Sequence, residues 1–366
     1  MRIFHPLCLA FLSLTTLYAR DPLIVTSLAD HGPGTLREAL DNALTKDIIQ
    51  FDPLLSGTIL LESDLPPITV PQIAINGPIN NSITIDGVST YRVFDVQNGP
   101  FTLTSINLTN GSHVAQGGAI YLAGDLYAYV KNVAITQASG SSGENSLFVE
   151  SSAVLELLDV SFLPTIESQI YLNGGHANIT ATTPLTFVID GISGSQVYKY
   201  GPSLATISTP PSITASYYIA IVEGTLSLSG ELTGSASVLD KGTLQGEFTI
   251  LNLNNLGAVQ PGVNGAFGTM VITGVYFPMP GDTQIKLDPS NNVDLLQIGG
   301  NALLLNAGLT LLPESGTYTA GSKYTFLTAG GSVMGRFLSI DMGGLNAKIN
   351  YHPQFVEIEI LTTQTL

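Results

Sequence analysis

From Ile48 onward the chain repeats one texture: a short apolar, β-branched run, then glycine, asparagine, serine or proline, then another run. Examples are IIQF at 48–51, ITVPQIAI at 68–75, FTLTSINL at 101–108, YAYVKNVAI at 127–135, AVLELLDVSF at 153–162 and QIYL at 169–172. Branching at Cβ favours extended backbone, and the runs are too short to make stable helices. Many alternate apolar with polar residues, as strands with one buried face must. Equivalent runs recur at roughly 20 to 25 residues, the range of stacked repeat folds. Hairpin signals exist at Asn98-Gly99 and Asn110-Gly111 but do not separate every pair of runs. The pattern therefore predicts an all-β chain, and a β-helix (solenoid) rather than a sandwich.

One early segment breaks the texture. HGPGTLREAL at 31–40 is a breaker-rich turn leading into a helix signal. Thr35 at the N-cap and Glu38 three residues later form a capping box. Leu36, Ala39, Leu40 and Ala43 give an apolar stripe. The first turn of a stack exposes core and unpaired backbone, and such an edge must be covered. The segment is expected to be a short N-terminal capping helix, with Arg37, Glu38 and His31 serving structure rather than catalysis.

Charge narrows the partners. Lys and Arg number 12 against 28 Asp and Glu, for a net charge of −16. No basic cluster is available to displace counterions, so nucleic acid is excluded as a partner, and an anionic membrane surface fits no better. An apolar share of 44% argues against disorder. Trp is absent and Tyr and Phe are modest in number, which predicts no large aromatic binding platform.

Residues 1–19, MRIFHPLCLAFLSLTTLYA, have Arg2, an apolar middle and small residues up to Ala19. They read as a secretory signal peptide, too short to span a bilayer comfortably. Cleavage after Ala19 would remove Cys8, the only cysteine. The mature chain would then hold no disulfide.

Two stretches resemble known exported families. LIVTSLADHGPGTLREALDNA, followed by IIQFDP, GTILLESDLPPI and ITIDG, resembles the start of secreted right-handed β-helix proteins. GGAI at Gly117–Ile120 resembles one repeat of the polymorphic outer-membrane proteins, whose companion F-x-x-N repeat is missing. Residues 220–360 resemble the distal half of an autotransporter passenger domain. The pattern there is QPG at Gln260–Gly262 before FGTMVITGVY, then Asp294 before LLQIGGNALL, then Gly321, Tyr324, LTA at Leu327–Ala329, and GRF ending at Phe337. The resemblance implies a right-handed parallel β-helix that is displayed on the cell surface, held at the outer membrane or released, with the periplasm as the other location. Passengers are followed by a membrane barrel of amphipathic strands. This sequence ends at Leu366, so it reads as a passenger without its pore, needing separate export machinery. The resemblance also implies that the C-terminal part is the more stable.

Catalytic patterns are weak. Glycan cleavage needs two carboxyls about 5–10 Å apart. Glu156 with Asp159 and Asp86 with Asp95 are the candidate pairs, but Asp86 in TIDG reads first as a turn residue and the other pair as solvated strand positions. No serine-hydrolase elbow occurs. His176 in NGGHAN reads as a turn or stacking residue, and His5, His31, His113 and His352 lack metal-ligand spacing. No catalytic, cofactor-binding or metal residue is assigned, and no cofactor is expected.

The expected organisation is a signal peptide at 1–19, N-terminal β-helix with its capping helix at 20–192, an irregular Pro/Ser-rich loop or linker at 193–218, and a passenger-like β-helix region at 219–366. About fifteen turns at roughly 4.8 Å each would make a rod near 70 Å long. The loops at 137–146 and 193–218 are the expected contact sites. The function expected is adhesion or a structural surface role, without enzyme activity, toward host or cell-surface protein or glycan. The alternatives are a polysaccharide lyase or hydrolase on a β-helix, or a partial gene product.

Overall fold

The computed structural model describes residues 20–366 except 81, 115, 137, 141–145, 164–168, 210–215 and 264. The expected signal peptide, with Cys8 and His5, lies outside the described residues, as does most of the 137–146 loop. The protein is all-β, with parallel sheets. Among the described residues there is one α-helix, Leu36–Asp41.

In the N-terminal half most strands fall into three parallel series, and Ser112–His113 and Ser139–Gly140 form a separate parallel pair. The first runs Leu23–Val25, Ile48–Phe51, Ile73–Asn76, Phe101–Thr104, Tyr127–Lys131, Val154–Leu158, His176–Thr180, Gln196–Tyr200 and Tyr218–Leu232, each paired with the next. The second runs Gly57–Leu60, Ile83–Asp86, Asn107–Thr109, Ala134–Thr136 and Ser161–Leu163. The third runs Phe94–Val96, Ile120–Leu122, Leu147–Val149, Ile170–Leu172 and Leu185–Gly191. From residue 101 to 172 the chain visits the three series strictly in rotation.

Alternation decides what faces inward. In the first series Ala128, Leu155, Ala177, Val197 and Ile219 stand in one register row, and Val130, Leu157, Ile179, Lys199 and Ile221 in another. Every member of both rows is buried. Each Val, Leu or Ile among them stabilises by about 1.5–3 kcal/mol when removed from water, so the rows contribute strongly to stability. Corners repeat as well. Ser105, Asn132 and Asp159 follow strands of the first series and all have φ between 51° and 56°. Gly201 and Gly224 occupy the matching corners two and three strands on, at φ 78° and 73°. Asn, Asp and Gly tolerate this left-handed conformation best, which explains why breakers sit between the runs.

Helix α1 (Leu36–Asp41) has Thr35 as its N-cap, whose Oγ1 accepts from the Glu38 N–H at 3.2 Å. Glu38 reaches back one residue further than a standard capping box, accepting from the Gly34 N–H at 2.6 Å. Leu36, Ala39 and Ala43 are buried and Leu40 is half-buried.

The Pro/Ser-rich stretch 193–218 differs from the expected loop. It carries the paired strands Gln196–Tyr200 and Ala205–Ser208, because its alternating residues pair in register with neighbours on both sides. Beyond it, Tyr218–Leu232 pairs with Ala236–Ile250 in parallel with one register shift. The parallel order ends near the C-terminus. Lys323–Ala329 pairs in parallel with Leu295–Ile298 but antiparallel with Phe355–Ile360, which pairs antiparallel with Ala347–Tyr351. Val356, Ile358 and Ile360 are buried by this turn-back of the chain.

Candidate functional site

The outward face of the first series concentrates tyrosine. Because Ala128 and Val130 point in, Tyr127 and Tyr129 point out. Because Val197 and Lys199 point in, Gln196, Tyr198 and Tyr200 point out. Register then aligns Tyr129, Glu156, Asn178 and Tyr198 in one outer column and Tyr127, Val154, His176, Gln196 and Tyr218 in the column beside it. The expectation of no aromatic platform rested on how many aromatics there are. Placement adds to that count, since period two puts YAYVK and QVYKY on the same side of one sheet, in two small groups.

The tyrosines form two groups. At one end Tyr127 is 39% exposed, and its hydroxyl donates to Glu156 Oε2. Desolvation, followed by this bond, pushes the Tyr127 hydroxyl up to about 12. Tyr129 is raised by desolvation and by the charges of Glu156 and Asp159. At the other end Tyr198 has its centroid 6.4 Å from both Tyr200 and Tyr218, tilted 24° from the first and 67° from the second. Its hydroxyl donates to Gln196 Oε1 at 2.6 Å. Desolvation raises Tyr198 too, and its two tyrosine neighbours add to the shift. All three phenols therefore keep their protons at neutral pH and act as hydrogen-bond donors.

A second aromatic row sits on the third series. Tyr121, Phe148 and Tyr171 are in register and stacked, at 5.8 and 5.2 Å with interplanar angles of 12° and 9°. The Arg92 guanidinium lies 4.8 Å over Tyr121 and donates to the carbonyls of Gly117 and Gln116 at 3.2 and 2.7 Å. Here Phe148 is buried between the two tyrosine rings and Arg92 lies over Tyr121, so the rings pack mainly on one another.

The candidate carboxylate pairs take structural roles. Asp86 accepts from the Val88 N–H at 2.7 Å and from Asn110 Nδ2 at 3.0 Å, as a turn residue should. Asp95 lies on a strand of another series and pairs with Arg92 at 3.4 Å. Asp159 accepts from the Thr182 N–H and hydroxyl at 3.0 and 2.7 Å, tying one corner to the next. Only Glu156 of the four stands on the tyrosine face.

His176 opens its strand, and its N–H donates to the Ala153 carbonyl at 2.8 Å. His113 meets Arg92 at 2.9 Å, and burial first, then that cation, lowers its pKa. His352 stacks on Phe355 at 4.0 Å. Asp30, His31 and Glu62 bring potential ligand atoms within 4.8 Å of one another. Both Asp30 oxygens already accept from Arg37 at 2.8 Å, and that cation opposes a metal ion. Arg37 also donates to the carbonyls of Ser63 and Asp64, at 2.9 and 2.7 Å, so it clips α1 to a corner.

Asp294, from the passenger-like pattern, is buried and accepts from the backbone N–H groups of Gly268 and Lys286 at 3.0 and 2.9 Å. Desolvation raises its carboxyl to about 6 against those bonds and the Lys286 charge. Among the described residues no helix is long and apolar enough to cross a membrane. Compared with models of known families and with curated proteins, the chain matches none.

Proposed function

We propose that this protein is a right-handed parallel β-helix, closed at its N-terminal end by α1 and exported through the segment 1–19, that works as a passenger-like surface or released protein in adhesion. The three-series rotation and the in-register rows support the β-helix. Burial of Leu36, Ala39 and Ala43 supports the lid. The observation that carries the adhesive role is the outward face from Tyr127 to Tyr218, where aromatic rings, amides and a carboxylate stand on a rigid sheet instead of in an enclosed cleft. Rigid elements present contact groups at little ordering cost.

The test is protease shaving of intact producing cells, followed with an antibody to this protein beside a periplasmic control. Cleavage or shedding with the control intact is the expected result. Protection until the outer membrane is broken overturns the surface role.

A further inference from the structure

We infer that the tyrosine face of the first series is a binding surface for a neutral glycan chain lying along the strand stack. The inference rests on the adhesive reading and names its ligand class. Tyr129, Glu156, Asn178 and Tyr198 are successive members of one outer column. Three strand steps separate the two tyrosines, roughly 14 Å at the spacing of a sheet. The length of one pyranose in an extended chain is close to that spacing, so each strand meets about one sugar.

The chemistry of the column follows the chemistry of a sugar. The apolar face of a pyranose presents C–H bonds with slight positive charge, which settle on the negative face of an aromatic ring. Tyr127 and Tyr129 supply rings at one end, and Tyr198 and Tyr218 at the other. Between them Glu156, Asn178, His176 and Gln196 offer donors and acceptors to the hydroxyl rim. The Tyr127–Glu156 and Tyr198–Gln196 bonds fix groups on both sides before any ligand arrives. Orientation is then set in advance and less entropy is lost on binding.

Charge selects the glycan class. From Tyr127 to Tyr218 the outward strand positions carry one permanent cation, Lys131, and one anion, Glu156, with Asp159 at the adjoining corner. The whole chain has a net charge of −16, which repels uronate-rich or sulfated chains. A neutral chain meets no such barrier.

The experiment screens the mature full chain on an array of neutral and polyanionic oligosaccharides. The strongest neutral hexasaccharide is then titrated by calorimetry against wild type, Tyr129→Ala, Tyr198→Ala and Asn178→Ala, with Tyr171→Ala on the third series as the control. Melting curves check that each variant is folded. The expected result is retention of a neutral glycan, about tenfold weaker binding in each of the three face variants and no change in the control. No neutral glycan retained, preference for heparin, or binding indifferent to Tyr198→Ala and Asn178→Ala overturns the inference. Surface display without glycan binding removes this inference alone. Glycan binding by a protein protected from shaving leaves the face intact and removes the surface reading.

Discussion

The buried ammonium of Lys199 lies 2.9 Å from the backbone carbonyl of Glu223, one strand further along the sheet, and 2.6 Å from that of Gly201. It occupies a row otherwise filled by Val130, Leu157, Ile179 and Ile221. A lysine can stand there because the corner glycine brings two carbonyls within reach of its tip. The charge is still costly, and a buried polar group is tolerated only while bonded.

Lys199 makes stability rise with pH over a defined window. Desolvation lowers it to about 8 from 10.5, with Glu223 opposing. Between these values the unfolded chain holds more protons than the folded one, so stability increases from pH 8 upward. Above pH 10 the buried Tyr276, raised to about 12 by desolvation, has the opposite sign and turns the curve down. Urea unfolding at pH 7, 8, 9 and 10 is expected to show the rise in wild type and to lose it in Lys199→Met. An equal rise in both assigns the effect to other groups.

Arg37 is expected to be one of the most sensitive positions outside the core rows. Its guanidinium takes both oxygens of Asp30, whose side chain is 1% exposed. Arg37→Ala leaves that carboxylate buried without its cation, at a cost of roughly 3–5 kcal/mol. The double variant with Asp30→Asn should recover part of the loss, because the orphaned charge is gone. A cycle in which the two changes simply add would show that the pair is not coupled.

What the sequence made legible was what depends on period and local chemistry. Alternation located the inner rows, and TLRE located α1 through Thr35 and Glu38. The strands within 193–218 were hidden because Pro202, Pro210 and Pro211 dominate its composition, while QVYKY and ATIS keep a period of two. Lys199 was hidden because its residue type reads as solvent-facing while its position in the alternation reads as core. The tyrosine face was hidden because it depends on register across strands, which no single run contains. The antiparallel finish at Phe355–Ile360 has the same apolar alternation as a parallel strand, so direction could not be read from it.

Asp294 predicts a second pH signature, at acid pH. Its folded value of about 6 lies above the ordinary 3.8, so the folded state holds more protons between them. Its contribution to stability therefore grows as pH falls from 6 towards 3.8. Asp294→Asn does not titrate, and its amide can accept only one of the two backbone bonds from Gly268 and Lys286. The variant is expected to be less stable by about 1–3 kcal/mol. The gap to wild type should widen on acidification from pH 6 to pH 4, which paired denaturant curves would read. A gap that narrows instead reverses the assignment.

Resistance to proteolysis should divide the chain unevenly. Tyr218–Leu232 and Ala236–Ile250 pair along nearly their full length, and Ala302–Pro313 pairs with both Asp282–Leu287 and Val333–Asp341. Long paired strands leave little backbone free to enter a protease, and the turn-back of Phe355–Ile360 covers the last parallel strands. In the N-terminal half the strands are short, mostly three to five residues, with corners between them. Local opening costs less where each strand contributes few bonds. Limited digestion of the full chain is expected to trim from the N-terminal side and leave a core of residues 220–366, identified by mass spectrometry. Survival of the N-terminal half while the C-terminal part is lost would place the stable unit around the tyrosine face instead.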